Sequence, residues 1–330
     1  MRHNFHSKKK KRIFFPSILV LVLVFVLGVM YFKKTDTYIL NSPLVVATTT
    51  TKIPEPKTKP SPKTIGEMEI YITPSRVEQG DPAIITVLGL ASTTSVKSFT
   101  FDNRPLIYFV YEGQVTAFLG VDLNSKVGAF PVVLTLNDGK QVSKDFVVEA
   151  RPVLKKLFDI PEKLGGNSPE SIKMLFTTLA QEGKIINAIP TGYKILWTEK
   201  FKSPLEGTLV IDDPYGYTRI IGNSTMPHKG VDLHASIGTP VYAMNRGLVG
   251  FTDSLRNYGN VVVIDHGYGL QTVYMHLSEI NVTKGQMIEK GELLGKSGDT
   301  GYTLNPHLHL TVRIWDVSID PMKFLELFGQ

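Results

Sequence analysis

Six histidines lie within 82 residues in the C-terminal half of the chain. The two others, His3 and His6, lie in a basic N-terminal tail and need no role. The chain has no cysteine, which excludes disulfides, a cysteine nucleophile and thiolate-bound zinc. Any metal must therefore be bound by histidine, carboxylate or other oxygen ligands. The clustered histidines indicate such a site: His228, His234, His266, His276, His307 and His309.

The segment PHLHL, residues 306–310, carries two histidines at a spacing of two. On a β-strand, residues two apart project from the same face. We therefore predict that His307 and His309 project side by side, while Leu308 and Leu310 point into the core. A surface strand seldom has histidine at two neighbouring positions of one face without a use, so this strand is a strong candidate for chemistry.

A second candidate is the segment HKGVD, residues 228–232. A proline before it and a glycine within it disfavour a helix. The sequence predicts a loop that enters a strand, with Val231 and Leu233 buried and Asp232 on the opposite face. Imidazole and carboxylate groups are both good zinc ligands.

A third candidate is His276 in the run TVYMHL, where strand alternation places it on the same face as Tyr274. Taken singly, these motifs are common by chance, and a lone histidine in a glycine-rich loop is more often structural than a ligand. The case for a metal site therefore depends on the motifs occurring together.

Short β-branched and aromatic runs separated by turns dominate the chain beyond residue 66. Seven such runs between Glu67 and Val148 predict an immunoglobulin-like β-sandwich, with Asp138-Gly139 as a hairpin turn. This region has no histidine, so a spacer or docking module is the favoured role. From Phe201 onward similar runs alternate with glycine-rich turns, and a mostly antiparallel sheet is expected.

One helix is predicted between these β regions. Ser168 offers an N-cap, and Pro169 suits the first helical position. Apolar residues then recur at helical spacing, and Gly183 is the predicted C-terminal end. The spaced apolar residues are Ile172, Leu175, Phe176 and Leu179.

Residues 13–32 form a run of 20 residues without a charge, which is long enough to cross a hydrocarbon layer of about 30 Å. Five basic residues precede it and two follow, which predicts a cytoplasmic N-terminus and an exported remainder. Two alternatives are disfavoured. A cleaved signal peptide would end in small residues, whereas this run ends in the bulky and charged segment VMYFKK. A buried core helix would have a polar face, which this run lacks.

The net charge of +6 is unevenly distributed. Residues 1–66 contain 12 Lys and Arg against 2 acidic residues, a net +10, so the remaining 264 residues carry 24 basic and 28 acidic groups, a net −4. The folded part therefore offers no electrostatic case for nucleic-acid binding. Residues 33–66 are rich in Thr, Pro and Lys, which predicts an extended spacer.

Three longer motifs occur in order in the C-terminal third: HKGVDLHASIGTPVYAMNRGLVG, GNVVVIDHGYGLQTVYMHLS and KGQMIEKGELLGKSGDTGYTLNPHLHLTV. Over about residues 201–325 the chain resembles the lysostaphin-type, LytM-like zinc endopeptidases, which hydrolyse peptidoglycan. The resemblance implies Zn²⁺ as the cofactor and peptidoglycan peptides as the substrate.

The resemblance also implies roles for five residues. The implied zinc ligands are His228, Asp232 and His309, with His276 and His307 beside the metal as acid/base or transition-state-stabilising residues. Three protein ligands and an open position are typical of catalytic rather than structural zinc. Such a zinc ion activates water and polarises the scissile carbonyl.

The chain departs from the family pattern at a few positions. The family often has a small residue where His234 stands, and His266 lies in the family's HG-x-G turn, so both are interpreted as structural. The loop TGYTLN replaces the common TG-x-STG and is expected to reshape one wall of the cleft. Tyr217, Arg219 and Tyr274 are weaker candidates for lining the groove.

The sequence thus predicts a mainly β protein on a single-pass anchor in the bacterial inner (cytoplasmic) membrane, with its C-terminal domains outside the cytoplasm. The rival functions are a non-enzymatic activator of wall amidases, which the complete ligand set disfavours, and a pure wall-binding module. The predicted order is a basic tail (1–12), a transmembrane helix (13–32), a linker (33–66), an immunoglobulin-like β-sandwich (67–150), a short helical connector (151–200) and an antiparallel β metallopeptidase domain (201–330).

Overall fold

The computed structural model describes residues 68–329. The predicted tail, transmembrane helix and linker, residues 1–66, lie outside the described residues. Within residues 68–329, no helix is both long and apolar enough to cross a membrane. The described part confirms a mainly β chain with a C-terminal β domain.

The first β region contains two sheets that share one hydrophobic core. A four-stranded sheet has the order β1-β3-β7-β6, and a five-stranded sheet has the order β2-β9-β8-β4-β5. All seven predicted strands are present, and Asp138-Gly139 forms the turn of the β8–β9 hairpin. Two strands of three and two residues, β2 and β5, are too short to stand out in the sequence. The strands are β1 Glu69–Thr73, β2 Arg76–Glu78, β3 Pro82–Leu88, β4 Val96–Phe101, β5 Arg104–Pro105, β6 Tyr108–Tyr111, β7 Gln114–Gly120, β8 Gly128–Leu136 and β9 Gln141–Glu149.

The connector contains a short strand, a single 3-10 turn and one helix. Helix α1 begins as predicted, because the side chain of Ser168 accepts a hydrogen bond from the backbone N–H of Ser171 and proline follows the cap. The predicted end at Gly183 is wrong, since the helix continues to Asn187. The elements are β10 Lys155–Leu157, the 3-10 turn Glu162–Leu164 and α1 Pro169–Asn187.

The C-terminal region is built on a ten-stranded sheet whose pairings are all antiparallel. A smaller sheet pairs β10 of the connector in parallel with β12, which pairs with β13. A short helix α2, capped by Asp320, follows the last strand. The elements are β11 Ile211–Asp213, β12 Thr218–Ile221, β13 Ser224–Pro227, β14 Val231–His234, β15 Pro240–Tyr242, β16 Gly247–Leu255, β17 Gly259–Gly267, β18 Leu270–Ile280, β19 Met287–Ile288, β20 Leu293–Ser297, β21 His307–Ile314, β22 Val317–Ile319 and α2 Pro321–Phe328.

Candidate metal centre

Two adjacent strands bring two of the histidine motifs together. Strand β14 pairs antiparallel with β21, so that Asp232 lies opposite His309 and His234 lies opposite His307. The alternate residues of both strands are fully buried in the core, as the alternation predicts: Val231, Leu233, Leu308 and Leu310. The polar side chains therefore project together from the other face of the sheet.

Three possible ligand atoms converge at this point, all within 4.8 Å of one another. His228 Nε2 lies 3.1 Å from Asp232 Oδ1 and 3.2 Å from His309 Nδ1, and the latter two atoms are 2.7 Å apart. Gly230 allows this approach, because a Cβ there would clash with the His309 ring and the Leu310 carbonyl. Steric space thus explains why a glycine lies between the two candidate ligands of HKGVD.

Hydrogen bonds on the outer side of each imidazole fix which ring nitrogen faces the centre. His228 Nδ1 is 2.9 Å from the carbonyl of Pro214, which can only accept, so Nδ1 carries the proton and Nε2 is free. His309 is turned the other way, with Nε2 3.1 Å from the Thr311 hydroxyl, which donates to the Lys229 carbonyl. Both free nitrogens are therefore presented as acceptors, the form that binds a metal.

The electrostatics of the cluster favour metal-binding protonation states. Although burial raises the pKa of Asp232, the adjacent His228 and His309 hold it well below the usual range. Burial lowers the pKa of His309 to about 4, against the opposing effect of Asp232. The carboxylate is therefore ionised and the His309 imidazole neutral near pH 7.

His276 and His307 lie beside these three groups. Their ring centroids are 4.9 Å apart, and His307 Nε2 is 3.5 Å from Asp232 Oδ1. Nδ1 of His276 points at the Thr300 carbonyl, and Nδ1 of His307 points at the Asn305 carbonyl. In both rings Nε2 therefore remains available for catalysis. Burial, together with the nearby His307 and His309, holds the pKa of His276 well below its usual range.

The prediction that His276 shares a strand face with Tyr274 is wrong. His276 has a φ of 62° at a register shift in the β17–β18 pairing, where simple alternation breaks down. As a result His276 lines a pocket together with Met275, while Tyr274 is fully buried in the core and bonded through its hydroxyl to the Met244 N–H. Tyr274 is therefore not in the groove.

The remaining two histidines lie outside the cluster. His266 is fully buried, with its ring nitrogens 2.9 Å from the Arg246 carbonyl and the Thr272 hydroxyl, and burial lowers its pKa to about 4. His234 is exposed and lies 3.2 Å from Asp212 at the edge of the cleft. Its side chain shares the face of His307 but is not one of the three converging groups.

An open cleft of about 790 Å³ exposes one side of the cluster, including Asp232 and His307. Its walls come from the connector, from the β11–β12 region and from the TGYTLN loop, which contributes Tyr302 and Leu304. A second pocket of about 320 Å³ reaches His228, His276 and His309 from the side of α1. An extended peptide therefore has room to lie across the cluster.

Sequence reasoning placed Arg219 and Tyr217 near the groove but missed the contacts that hold them. Arg219 donates to Asp232 Oδ2 at 2.7 Å and to the Tyr217 hydroxyl at 2.6 Å. Phe158 of the connector and Thr311 were not singled out. Thr311 follows His309 by two residues on the same strand face, a signal that was present in the sequence.

The converging groups fit a zinc ion. Two neutral imidazole nitrogens and one carboxylate oxygen form a donor set that catalytic zinc sites use, and the outer hydrogen bonds already hold both rings in the required tautomer. The three donor atoms lie 2.7–3.2 Å apart, which is close enough for all three to bind one shared ion.

Comparison with known proteins supports this interpretation. Residues 226–321 match Peptidase family M23. Peptidoglycan DD-endopeptidase ShyA of Vibrio cholerae is 43% identical over 97 residues, 29% of this chain and 23% of that protein. Lysostaphin of Staphylococcus simulans is 37% identical over 123 residues, 35% of this chain and 25% of that protein. These matches span about a quarter of the length of each relative.

A solved structure extends the likeness upstream of the matched region. A crystal structure assigned to peptidase M23 from Pseudomonas aeruginosa covers 76% of this chain and 95% of its own, with a TM-score of 0.56 and 25% identity. All five residues singled out by the motifs fall within residues 226–321. Residues 226–321 of this chain are therefore similar to peptidase family M23, in agreement with the resemblance to the lysostaphin-type peptidases.

Proposed function

We propose that this chain is a zinc metalloendopeptidase that hydrolyses peptide cross-links of bacterial peptidoglycan. The observation that carries the proposal is the convergence of His228, Asp232 and His309 on one point, with His276 and His307 beside it and an open cleft in front. The substrate class is supported by the matched relatives, whose names describe peptidoglycan endopeptidases and lysostaphin.

The proposed division of labour follows the hydrogen bonds. His228 Nε2, Asp232 Oδ1 and His309 Nδ1 would hold zinc, which when bound supplies a Lewis acid for amide hydrolysis. His276 and His307 each keep Nε2 unengaged by the backbone, so these two atoms are the ones available to accept and return a proton or to stabilise developing charge. Asp232 is not assigned as the proton carrier, because Oδ1 is a proposed metal ligand and Oδ2 accepts a hydrogen bond from Arg219 at 2.7 Å.

We further propose that residues 13–32 anchor the chain in the inner membrane and that the β domains lie outside the cytoplasm. The uncharged run and its heavier N-terminal basic flank motivate this orientation. In this arrangement the immunoglobulin-like sandwich acts as a spacer. Protease added to spheroplasts should digest the C-terminal domain; its protection beside an intact cytoplasmic control would contradict the orientation.

The test of the enzymatic function uses protein comprising residues 67–330. After zinc loading, it should release new muropeptides from purified wall sacculi, as measured by chromatography and mass spectrometry. Chelation should stop the release and added zinc should restore it. A folded protein with one zinc per chain that releases nothing from any wall preparation would contradict the proposal.

Single substitutions separate metal binding from proton handling. His309→Ala should lose both bound zinc and activity, because only two ligands remain. His276→Ala and His307→Ala should keep about one zinc per chain but lose roughly 10²–10⁴-fold in rate, the usual contribution of positioned acid/base groups. His234→Ala, at an exposed site on the cleft edge, is the matched control and should keep both. Zinc lost in His307→Ala but kept in His309→Ala would show that these two roles are reversed.

A further inference from the structure

A continuous chain of contacts connects the connector strand to the candidate metal ligand Asp232. Lys156 Nζ on β10 lies 2.8 Å from Asp213 Oδ1, and the other oxygen of Asp213 accepts from the Tyr217 hydroxyl at 2.9 Å. Arg219 Nε donates to the Tyr217 oxygen at 2.6 Å, and its NH2 group donates to Asp232 Oδ2 at 2.7 Å. The guanidinium is thus the direct neighbour of the ligand carboxylate.

The guanidinium of Arg219 is held on its flat face as well as at its edge. Its central carbon lies 4.5 Å from the ring centroid of Phe158 and 5.5 Å from that of Tyr217. The side chain is only 11% exposed. A buried, planar cation clamped by aromatic rings and paired with carboxylates has little freedom to rotate, so it presents its N–H groups to Asp232 in one direction.

The backbone enforces the same placement. Strand β10 pairs in parallel with β12, and Lys156 is the direct partner of Arg219 in that register. Phe158 continues this segment, and its backbone N–H donates to the Ile220 carbonyl at 2.9 Å. Both Arg219 and β10 precede residues 226–321, the part that matches the peptidase family.

We infer that Arg219 is a positioning residue that occupies Asp232 Oδ2 and so directs Oδ1 alone to the metal, and that the connector segment 155–158 holds Arg219 for this purpose. The inference rests on the proposed zinc site. Two opposing effects act on zinc affinity. The positive charge of Arg219 repels a cation, whereas the fixed carboxylate binds it with less loss of freedom. Arg219 is buried and hydrogen-bonded to both Tyr217 and Asp232. We therefore expect the fixed orientation of the carboxylate to outweigh the repulsion of the cation.

The experiment measures the zinc dissociation constant of the full-length chain by competition with a chelator of known affinity, together with the melting temperature of the metal-free protein. Arg219→Met should weaken zinc binding by roughly 10–100-fold, the usual effect of removing a residue that orients a ligand. Arg219→Lys keeps the charge but not the planar fork, so it should also weaken binding. Arg219→Gln keeps one N–H donor without the charge and should restore part of the affinity.

Arg151→Met is the matched control, because Arg151 is also a buried arginine bonded to carboxylates but lies at the contact with the N-terminal sandwich. It should lower the melting temperature without changing zinc affinity. Phe158→Leu tests the clamp while Arg219 stays in place, and it should weaken zinc binding several-fold. If Arg219→Met fails to fold, the zinc affinity of Phe158→Leu tests the positioning role instead.

The outcomes are distinct. Unchanged or tighter zinc binding in Arg219→Met, or in Phe158→Leu when Arg219→Met does not fold, would overturn the positioning role. Wild-type affinity in Arg219→Lys would show that charge rather than geometry matters, which also overturns it. Wild-type chain that binds no zinc would instead refute the proposed function on which the inference depends.

Discussion

At the scale of single residues, burial gives histidines of one sheet different properties. His266 on β17 is fully buried away from the cleft, and both ring nitrogens are bonded within the protein. Its imidazole is neutral in the folded state near pH 7, because burial disfavours the charged form more than the Arg246 carbonyl and the charge of Asp265 favour it. His234, by contrast, is exposed and lies against Asp212. Histidine is thus a core residue at position 266 and a surface residue at position 234.

The buried His266 predicts a pH dependence of stability. Burial lowers its pKa from 6.5 to about 4 in the folded state. Since the folded pKa lies below the unfolded one, the neutral ring contributes stability above pH 6.5 that is lost as pH falls toward 4. His266→Gln should remove this loss, which is on the order of 3 kcal/mol, even if the variant is less stable at pH 7.

The measurement is urea unfolding of metal-free protein between pH 7 and pH 4.5. The difference between wild type and His266→Gln isolates this group, because the other titrations are common to both. His234→Gln makes the same change at an exposed position and is the matched control. Parallel curves for wild type and His266→Gln would show that His266 does not titrate differently in the two states.

At the scale of elements, α1 is longer than its sequence predicts, because contacts with the sheet stabilise its last turns. Glu182 is buried, and its carboxylate accepts hydrogen bonds from the backbone N–H groups of Asn257 and Tyr258 at 3.0–3.2 Å. Ile186, one turn later, packs into a small core on β17 and β18. These contacts outweigh the cost of glycine at position 183, which is about 1 kcal/mol.

The turn that Glu182 holds also supports the candidate active site. The Tyr258 carbonyl accepts from the His276 N–H at 3.0 Å, and the Asn257 carbonyl accepts from the Tyr302 N–H at 2.7 Å. Glu182→Ala should therefore cost about 2–4 kcal/mol in the free energy of unfolding, because two buried N–H groups lose a charged acceptor. It should also lower activity by displacing His276.

Chemical denaturation and turnover per bound zinc check this prediction. Glu182→Gln keeps one acceptor oxygen and should lose less stability than Glu182→Ala. Glu170→Ala, in the exposed first turn of the same helix, should cost less than about 1 kcal/mol. Equal effects of Glu170→Ala and Glu182→Ala would contradict a specific role for the buried carboxylate.

At the scale of the whole described chain, the N-terminal sandwich and the C-terminal domain share a core. Phe109 and Phe118 of the sandwich belong to the same hydrophobic cluster as the ten-stranded sheet and contact Trp197 at centroid distances of 6.1 and 5.6 Å. Gly80 of the sandwich packs against the Tyr215 ring, and the Tyr215 hydroxyl donates to the Ser318 carbonyl at 2.7 Å. The sandwich is therefore packed against the domain rather than tethered to it.

A buried ion-pair network closes this contact. Arg151 donates to the Gln79 carbonyl at 2.6 Å, to Asp320 at 3.1 Å and to Asp81. Asp320 in turn caps α2 by accepting from the Met322 N–H at 2.9 Å, and its own N–H donates to the Gly80 carbonyl at 2.7 Å. One arginine thus joins the sandwich, the connector and the last helix.

Removing this arginine should strongly destabilise the protein. Arg151→Met leaves two largely buried carboxylates without their common partner, at a cost of about 3–5 kcal/mol. Arg76→Met, which breaks the exposed pair with Glu149, should cost no more than about 1 kcal/mol. Calorimetry of the two variants makes the comparison. A similar small effect of both substitutions would show that the network contributes little to joining the domains.

The sequence by itself determined the features that depend on neighbours along the chain. The alternation in PHLHL and GVDL placed their leucines and valine in the core and their polar residues on the opposite face, because side-chain direction in a strand depends only on parity. The start of α1 at Ser168 follows from a local capping hydrogen bond. The ordered motifs likewise carried the family resemblance.

Only the tertiary structure decided which distant residues meet and where local rules fail. The positive φ of His276 moves its side chain to the face opposite Tyr274 and toward His307, and no periodicity encodes that bulge. The length of α1 depends on backbone groups 75 residues away, and the orientation of Asp232 depends on Arg219, which Phe158 holds from the connector. These features depend on contacts between distant segments, whose geometry exists only when the sheets have packed.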